Sequence, residues 1–293
     1  MSNLTEEYGF QDLTYERAEH DRGAVVTVTL NRPKVTNALS VRLSDEFARS
    51  ISIARDDIDA KVFVVRGAGG NFCAGDDLTE MASGGWGVDA NSVIRRVRIY
   101  QDMANALEEL DKITIASVEG YCVGGGLEIT MACDFVICAD TVRWGMPEVD
   151  WGITPGWGGT TRMARLIGRR MTKEINMLGA LHKPQRGVEL GLFNRVVPQE
   201  ALDQSTKALT ELILMKNQQG LRQFKVMINR GVEADLYTAQ GFELMGAGLT
   251  SAVLGAWNVP DGDDAHGWTA YHSGAADRLI RKRRETARDF WTD

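Results

Sequence analysis

Apolar and polar positions along the first two hundred residues switch repeatedly between two periods. Residues 24–31, AVVTVTLN, are dense in β-branched side chains and predict a strand. Arg32-Pro33-Lys34 ends it, because proline donates no ladder hydrogen bond. Val41, Leu43, Phe47 and Ile51 then recur at roughly helical spacing, predicting a helix over 40–55 with Ser40 as its N-cap. KVFVVRG, residues 61–67, returns to a strand and ends at glycine. Residues 82–92 predict a surface loop and 93–110 an amphipathic helix. Residues 113–123 predict a strand running into Gly124-Gly125-Gly126, with a short helix on LEITMAC directly after, and 134–140 a further strand. Alternating strands and helices, with strands often in pairs, are the α/β pattern of a layered or spiral sheet. After about residue 200 the strand signal stops: 201–230, 235–256 and the basic tail 276–290 all predict helix. The expected division is a core, residues 1–200, and a helical C-terminal region, residues 201–293.

Composition narrows the function classes. The chain has 293 residues and a formal net charge of −7, which argues against bulk attraction to nucleic acid or an anionic membrane. The four cysteines, Cys73, Cys122, Cys133 and Cys138, form no C-x-x-C pair and none sits near a histidine, so no metal site is expected. Cys133 and Cys138 lie in an apolar run and read as buried free thiols, which suits a reducing compartment. The first residues, MSNLTEEYGFQD, lack the basic start and apolar core of a signal peptide, and no stretch reaches the ~18 apolar residues of a membrane span. The expected location is cytoplasmic, without membrane association.

Three segments carry candidate chemistry. In VEGYCVGGGLE, residues 118–128, a strand enters three glycines and a helix leaves them. Glycine admits close approach of a ligand to the backbone, and the unpaired N–H groups and dipole of the first helical turn favour an oxyanion there. Glu128 falls in that turn. A tight turn between closely packed strand and helix explains the glycines equally well, and the spacing is not the G-x-G-x-x-G of dinucleotide binding. FCAGDDLTEM, residues 72–81, offers a second backbone donor. WGMPEVDWGITPGWGGTTRM, residues 144–163, sets Glu148 among aromatic and apolar residues, where a carboxyl is expected to hold its proton to higher pH. Two carboxyls in unlike environments divide acid and base roles.

Taken in order, LNRPKVTNALS, GNFCAGDDLTEM, VEGYCVGGGLEITMACDFVICAD, WGMPEVDWGITPGWGGTTRMARLIG and the LGLFNRVVP stretch resemble the crotonase (enoyl-CoA hydratase/isomerase) superfamily from about residue 24 to 200. The resemblance implies a spiral of ββα units with a C-terminal helical region used for trimerisation, as a homotrimer or a dimer of trimers. It implies an acyl-CoA substrate, with CoA part of that substrate and no separate cofactor. The backbone N–H groups of Asp76 and Gly125 would form the oxyanion hole for the thioester. Ala74, Gly124, Trp144, Trp151 and Trp157 would border the acyl group. Lys34 and Val35, within the 31–37 segment, and Lys282 would border the CoA. Glu128 and Glu148 match the two glutamates of hydratases, which add water across an α,β double bond or remove it. Glu148 is expected to give the α-carbon its proton and Glu128 to activate the water.

Several positions depart from the family pattern. Asp76 stands where a small neutral residue is common. The Asp76-Asp77 pair is expected to face solvent, the other reading being contact with a polar acyl group. Trp144, Trp151 and Trp157 are expected mainly to pack the core, the other reading being a pocket for a bulky acyl group. The E-x-x-W-G run at Trp151 resembles hydroxycinnamoyl-CoA hydratase-lyases, which lack the glutamate at position 128. The segment 250–275 is longer than usual and holds Trp257, His266, Trp268 and His272, the histidines being expected at the surface. Arg281-Lys282-Arg283-Arg284 suits either CoA phosphates or a solvated helix face. The function expected is an enoyl-CoA hydratase or dehydratase. Its alternatives are an enoyl-CoA isomerase working through Glu148, a retro-aldol hydratase-lyase, and a CoA-binding subunit without turnover.

Overall fold

The computed structural model describes residues 1–253 and, further on, residues 281–282, 284–288 and 290. The chain divides into two compact units, Met1–Lys207 and Ala208–Asp293.

The first unit is built on a seven-stranded sheet in the order β1-β2-β3-β4-β5-β7-β9. Its strands are β1 (Ser2–Asn3), β2 (Leu13–Ala18), β3 (Ala24–Leu30), β4 (Ala60–Gly67), β5 (Ile113–Val118), β7 (Phe135–Ala139) and β9 (Arg195–Val197). β1, β2 and β3 pair antiparallel; from β3 to β9 every pairing is parallel. Parallel strands lie covered on both faces, which is why β4 and β5 are apolar along most of their length rather than alternating. Helix α1 (Val41–Asp56) starts at Ser40, whose side chain accepts a hydrogen bond from the Leu43 N–H, and buries Leu43, Phe47, Ile51 and Ala54. Truncating Phe47, which has no exposed surface, costs about 3–5 kcal/mol.

Three features differ from the linear reading, each for a local reason. The apolar stretch 113–123 is two strands. The chain turns at Gly120, with φ of +56°, and β6 (Tyr121–Val123) leaves the main sheet to pair in parallel with β8 (Arg143–Gly145). Hydrophobicity does not record a change of partner. The expected loop at 82–92 is shorter. Helix α2 (Leu78–Ala82) precedes it, and α3 (Ala90–Glu108) begins at Asp89, whose carboxylate accepts from the Asn91 and Ser92 N–H groups. The helix expected over 201–230 is interrupted. α7 (Leu202–Leu214) ends, and Asn217 caps α8 (Gln218–Gly231) by accepting from Gly220 N–H.

Between β6 and the C-terminal helices lie α4 (Gly125–Met131), α5 (Thr161–Leu178), broken at Gly168, and α6 (Pro184–Leu190). In the second unit α8 packs on α9 (Leu236–Val253). The described residues of the tail, including Lys282, are helical. Expectations for Trp257, His266, Trp268, His272, Arg283 and the start of the tail lie outside the described residues.

Candidate active site

The segment from Phe72 to Asp77 is stitched between two neighbours by backbone hydrogen bonds. Phe72 and Cys73 N–H groups donate to the Glu119 and Tyr121 carbonyls, and Val123 N–H donates back to Cys73. On the other side Ala74 N–H donates to Thr36, Leu39 N–H to Gly75 and Asp77 N–H to Leu39. The entry segment is itself held by Asn37, buried with φ of +55°, whose amide donates to the Ala68 and Asn71 carbonyls at 2.9 and 2.8 Å. This leaves the Asp76 N–H without a backbone acceptor among the described residues, and Gly125, first residue of α4, has the orphan N–H that every helix start carries. The two loops touch. Gly75 has φ of +87°, and a Cβ there would meet the Gly125 nitrogen at 3.3 Å. Asp76 and Gly125 thus carry two unspent donors on adjoining loops, an arrangement able to bind an oxyanion.

β6 and β8 deliver the two glutamates to the same place. Gly124 N–H donates to Gly145 O, which sets the end of β8 beside the start of α4. The chain leaves β8 into the short turn Pro147–Trp151 that carries Glu148. Gly124 has φ of +54°, and a Cβ on it would lie 2.9 Å from Glu148 Oε1, so only glycine serves there. Glu128, in the first turn of α4, is 1% exposed, and its Oε1 accepts from the Trp157 and Gly159 N–H groups at 2.8 and 2.6 Å. Burial pushes its pKa up to about 7, against the pull of these donors and with a further push from Glu148. Burial also raises the pKa of Glu148, whose Oε2 is shut off from solvent and finds no partner among the described residues.

A third carboxyl stands with them. The expected solvent-facing Asp76-Asp77 pair is not found. Asp77 caps α2, accepting from Thr79 and Glu80 N–H, and pairs with Arg32 at 2.9 Å. Asp76 Oδ1 is enclosed, without a hydrogen-bond partner among the described residues. Burial, and then the charges of Glu128 and Glu148, raise its pKa well above the usual carboxyl range.

The remaining sequence candidates fall into separate settings. Trp144 is fully enclosed, donates its indole N–H to Lys183 O at 2.9 Å, and packs against His182 and Phe193. Trp151 is 64% exposed. Trp157 is buried and stacks on Tyr100 with ring centroids 4.4 Å apart. Ala74, Lys34 and Val35 are exposed. Lys282 is also exposed and belongs to the second unit.

One part of the site escaped the sequence reading: helix α3 holds the loop that holds Glu128. Gln101 donates to Gly156 O at 3.1 Å. Arg162 donates to Trp157 O at 2.8 Å, to Asn105 Oδ1 at 2.6 Å and to Glu108 at 2.7 Å. Gln101, Asn105 and Glu108 share one helical face, a spacing visible in sequence, but polar residues on a helix look the same whether they clamp a loop or meet water. Asn37 was likewise legible only as part of a border segment.

This geometry agrees with what the chain is similar to. The family model for enoyl-CoA hydratase/isomerase matches residues 20–251. A short-chain-enoyl-CoA hydratase of Clostridium acetobutylicum is 36% identical over 228 residues, 75% of this chain and 84% of that protein. A crotonyl-CoA hydratase of Syntrophomonas wolfei is 31% identical over 263 residues, 89% of this chain and 95% of that protein. The crystal structure of an enoyl-CoA hydratase from Bacillus anthracis superimposes with a TM-score of 0.79 at 30% identity, over 90% of this chain and 97% of that one. With two donor loops, a buried Glu128, a half-buried Glu148 and these relatives in agreement, the chain belongs to the enoyl-CoA hydratase/isomerase family, within the crotonase superfamily.

Proposed function

We propose that this protein is an enoyl-CoA hydratase that adds water across the α,β double bond of an acyl-CoA thioester, with Glu128 and Glu148 as its acid–base pair. The observation that carries this reading is that Glu128 and Glu148 both lie beside Gly124, at the mouth of the helix that offers the Gly125 N–H. The Asp76 and Gly125 N–H groups hold the thioester oxygen as enolate charge develops on it. Water adds through its oxygen to the β carbon while its proton passes to Glu128. Glu148 delivers its proton to the α carbon, and the enolate collapses to the saturated thioester. The reverse steps remove water. Two N–H donors on Glu128 Oε1 pull towards its ionised form but burial outweighs them, and burial raises Glu148 as well, so both carboxyls are able to carry a proton and the division of roles follows the family resemblance. Such close groups titrate as a pair.

CoA enters as part of the substrate, and Lys34, Val35 and Lys282 are the residues proposed to contact it. That region is proposed to form a homotrimer or a dimer of trimers, since Phe224, Ile228, Leu236 and Leu244 leave apolar surface exposed on α8 and α9. A cytoplasmic location is supported by four free cysteines. Among the described residues no helix is long and apolar enough to cross a membrane.

The test is a panel of enoyl-CoAs, short, long, cyclic and aromatic, followed by loss of the enoyl-thioester absorbance and product mass. Gain of one water on any member supports the hydratase. Products that are isomerised or cleaved, with no water gained, would move the assignment to isomerase or lyase.

A further inference from the structure

Asp76 has a side chain that the two-glutamate chemistry leaves unused. Its N–H serves the oxyanion hole, and an alanine would provide that N–H equally well. Yet a carboxyl with one enclosed oxygen stands there beside two others, an arrangement that costs stability where an alanine would not. Its position is defined on two sides. A Cβ placed on Gly125 would stand 3.6 Å from Asp76 Oδ1, so the oxygen lies over the helix start that carries the second oxyanion donor. The charges of Glu128 and Glu148 both bear on it, so the three carboxyls share one neighbourhood. The oxygen is shut off from solvent with no partner among the described residues. Buried polar atoms are rarely left so, and one in a substrate site is satisfied by the substrate.

A second observation points the same way. Tyr100 is fully enclosed, its hydroxyl lies next to the Ser44 hydroxyl, and Asp76 is near enough to oppose its ionisation. Tyr100 stacks on Trp157, the residue whose N–H holds Glu128. The indole N–H of Trp157 is enclosed and unpartnered as well. Near the glutamates, then, the Asp76 Oδ1 and the Trp157 indole nitrogen are enclosed polar atoms without a partner among the described residues. A plain hydrocarbon chain would leave the Asp76 oxygen unsatisfied.

We propose that the Asp76 side chain selects the acyl group, donating a hydrogen bond to a neutral oxygen substituent, such as a hydroxyl, next to the reacting double bond. The neighbours decide between donor and acceptor. With Glu128 and Glu148 beside it, Asp76 keeps its proton and offers an O–H. The same neighbours repel a carboxylate, so an acyl chain ending in one is excluded while a hydroxyl is admitted. This inference rests on the hydratase reading and names its substrate class.

The experiment compares two enoyl-CoAs of nearly equal shape, the γ-hydroxy and the γ-methyl derivatives of crotonyl-CoA, with a γ-carboxy derivative as a third probe. The readout is the ratio of kcat/KM between hydroxy and methyl substrates. In the wild type this ratio is expected to be about ten or more, the usual worth of satisfying a buried polar group, with the carboxylate substrate poorest of the three. Asp76→Ala should bring the ratio to about one or below, and Asp76→Asn, which keeps a donor, should restore part of it. A wild-type ratio near one overturns the proposal, even if the variants fail to fold. So does an unchanged ratio in Asp76→Ala, or an equal collapse on both substrates, which would make Asp76 part of the proton machinery. If no enoyl-CoA of any kind gains water, it is the hydratase reading itself that has failed.

Discussion

At the scale of a single residue, Glu128 shows chemistry and stability opposed. A base that titrates at about 7 is ionised at neutral pH only in part, so hydration should decline as pH falls through that value. The acid limb of kcat/KM against pH checks this. Replacing either glutamate by glutamine removes the proton transfer while keeping shape, and each of Glu128→Gln and Glu148→Gln should lose about a hundred-fold or more in hydration. Near-normal turnover in either would break the two-glutamate assignment. The same burial has a thermodynamic side. Glu128 holds its proton up to about 7 when folded, against an ordinary 4.5, so between those values the folded chain binds more protons than the unfolded one. Its contribution is complete below the lower value and is lost as pH rises through the upper, a loss on the order of 3 kcal/mol. Glu128→Gln keeps an amide oxygen for the Trp157 and Gly159 N–H groups. It should therefore unfold at higher denaturant than wild type at pH 8, by a margin that shrinks towards pH 5. An equal margin at both pH values would mean that burial does not tax the carboxylate.

At the scale of elements, the site is made by a strand that changes sheets and a helix that clamps a loop. Gly124 lies where β6 turns into α4, against Glu148. Gly124→Ala would add both a strained backbone and a contact at 2.9 Å to a catalytic oxygen, and should abolish turnover with little change in overall fold, read by kcat and circular dichroism together. Arg162 ties the Trp157–Gly159 loop to α3 through Asn105 and Glu108. In Arg162→Ala the two N–H donors on Glu128 lose their anchor, which weakens the hold on the carboxylate. We expect kcat to drop about ten-fold with KM less affected, and the acid limb to move to higher pH. A fall in stability with an unmoved limb would reduce Arg162 to a structural brace. The helix start at Gly125 was legible because three glycines followed by LEIT punctuate a strand-to-helix turn. The clamp was not, because Gln101 and Asn105 carry no signal that tells a loop partner from solvent.

At the scale of the whole molecule, the proposed function assigns different work to the α/β core and the helical C-terminal region. The proposed oxyanion donors and acid–base pair, Asp76, Gly125, Glu128 and Glu148, all lie within Met1–Lys207. The proposed role of the second unit is assembly and a grip on CoA. Light scattering should give three or six times the chain mass. Lys282→Ala should raise KM for an acyl-CoA about two- to five-fold, the modest worth of an exposed charge, while leaving a pantetheine thioester unaffected. Equal effects on both would remove Lys282 from the CoA contacts.

The linear order of residues determined the alternation of strand and helix, the N-cap at Ser40, the glycine turn before α4 and the placing of Glu128 in its first turn. Each depends on neighbours within a few positions, where periodicity and capping chemistry act. The five motif segments also carried the family. Tertiary structure alone decided that 113–123 is divided between two sheets, that α3 braces the Glu128 loop, and that Asp76 turns inward while Asp77 meets Arg32. Two adjacent aspartates have one local signature, that of a solvated pair. Which of them is buried depends on backbone pairing across Leu39 and Asp76 and on the loop packed against Gly125, contacts between segments far apart in the chain.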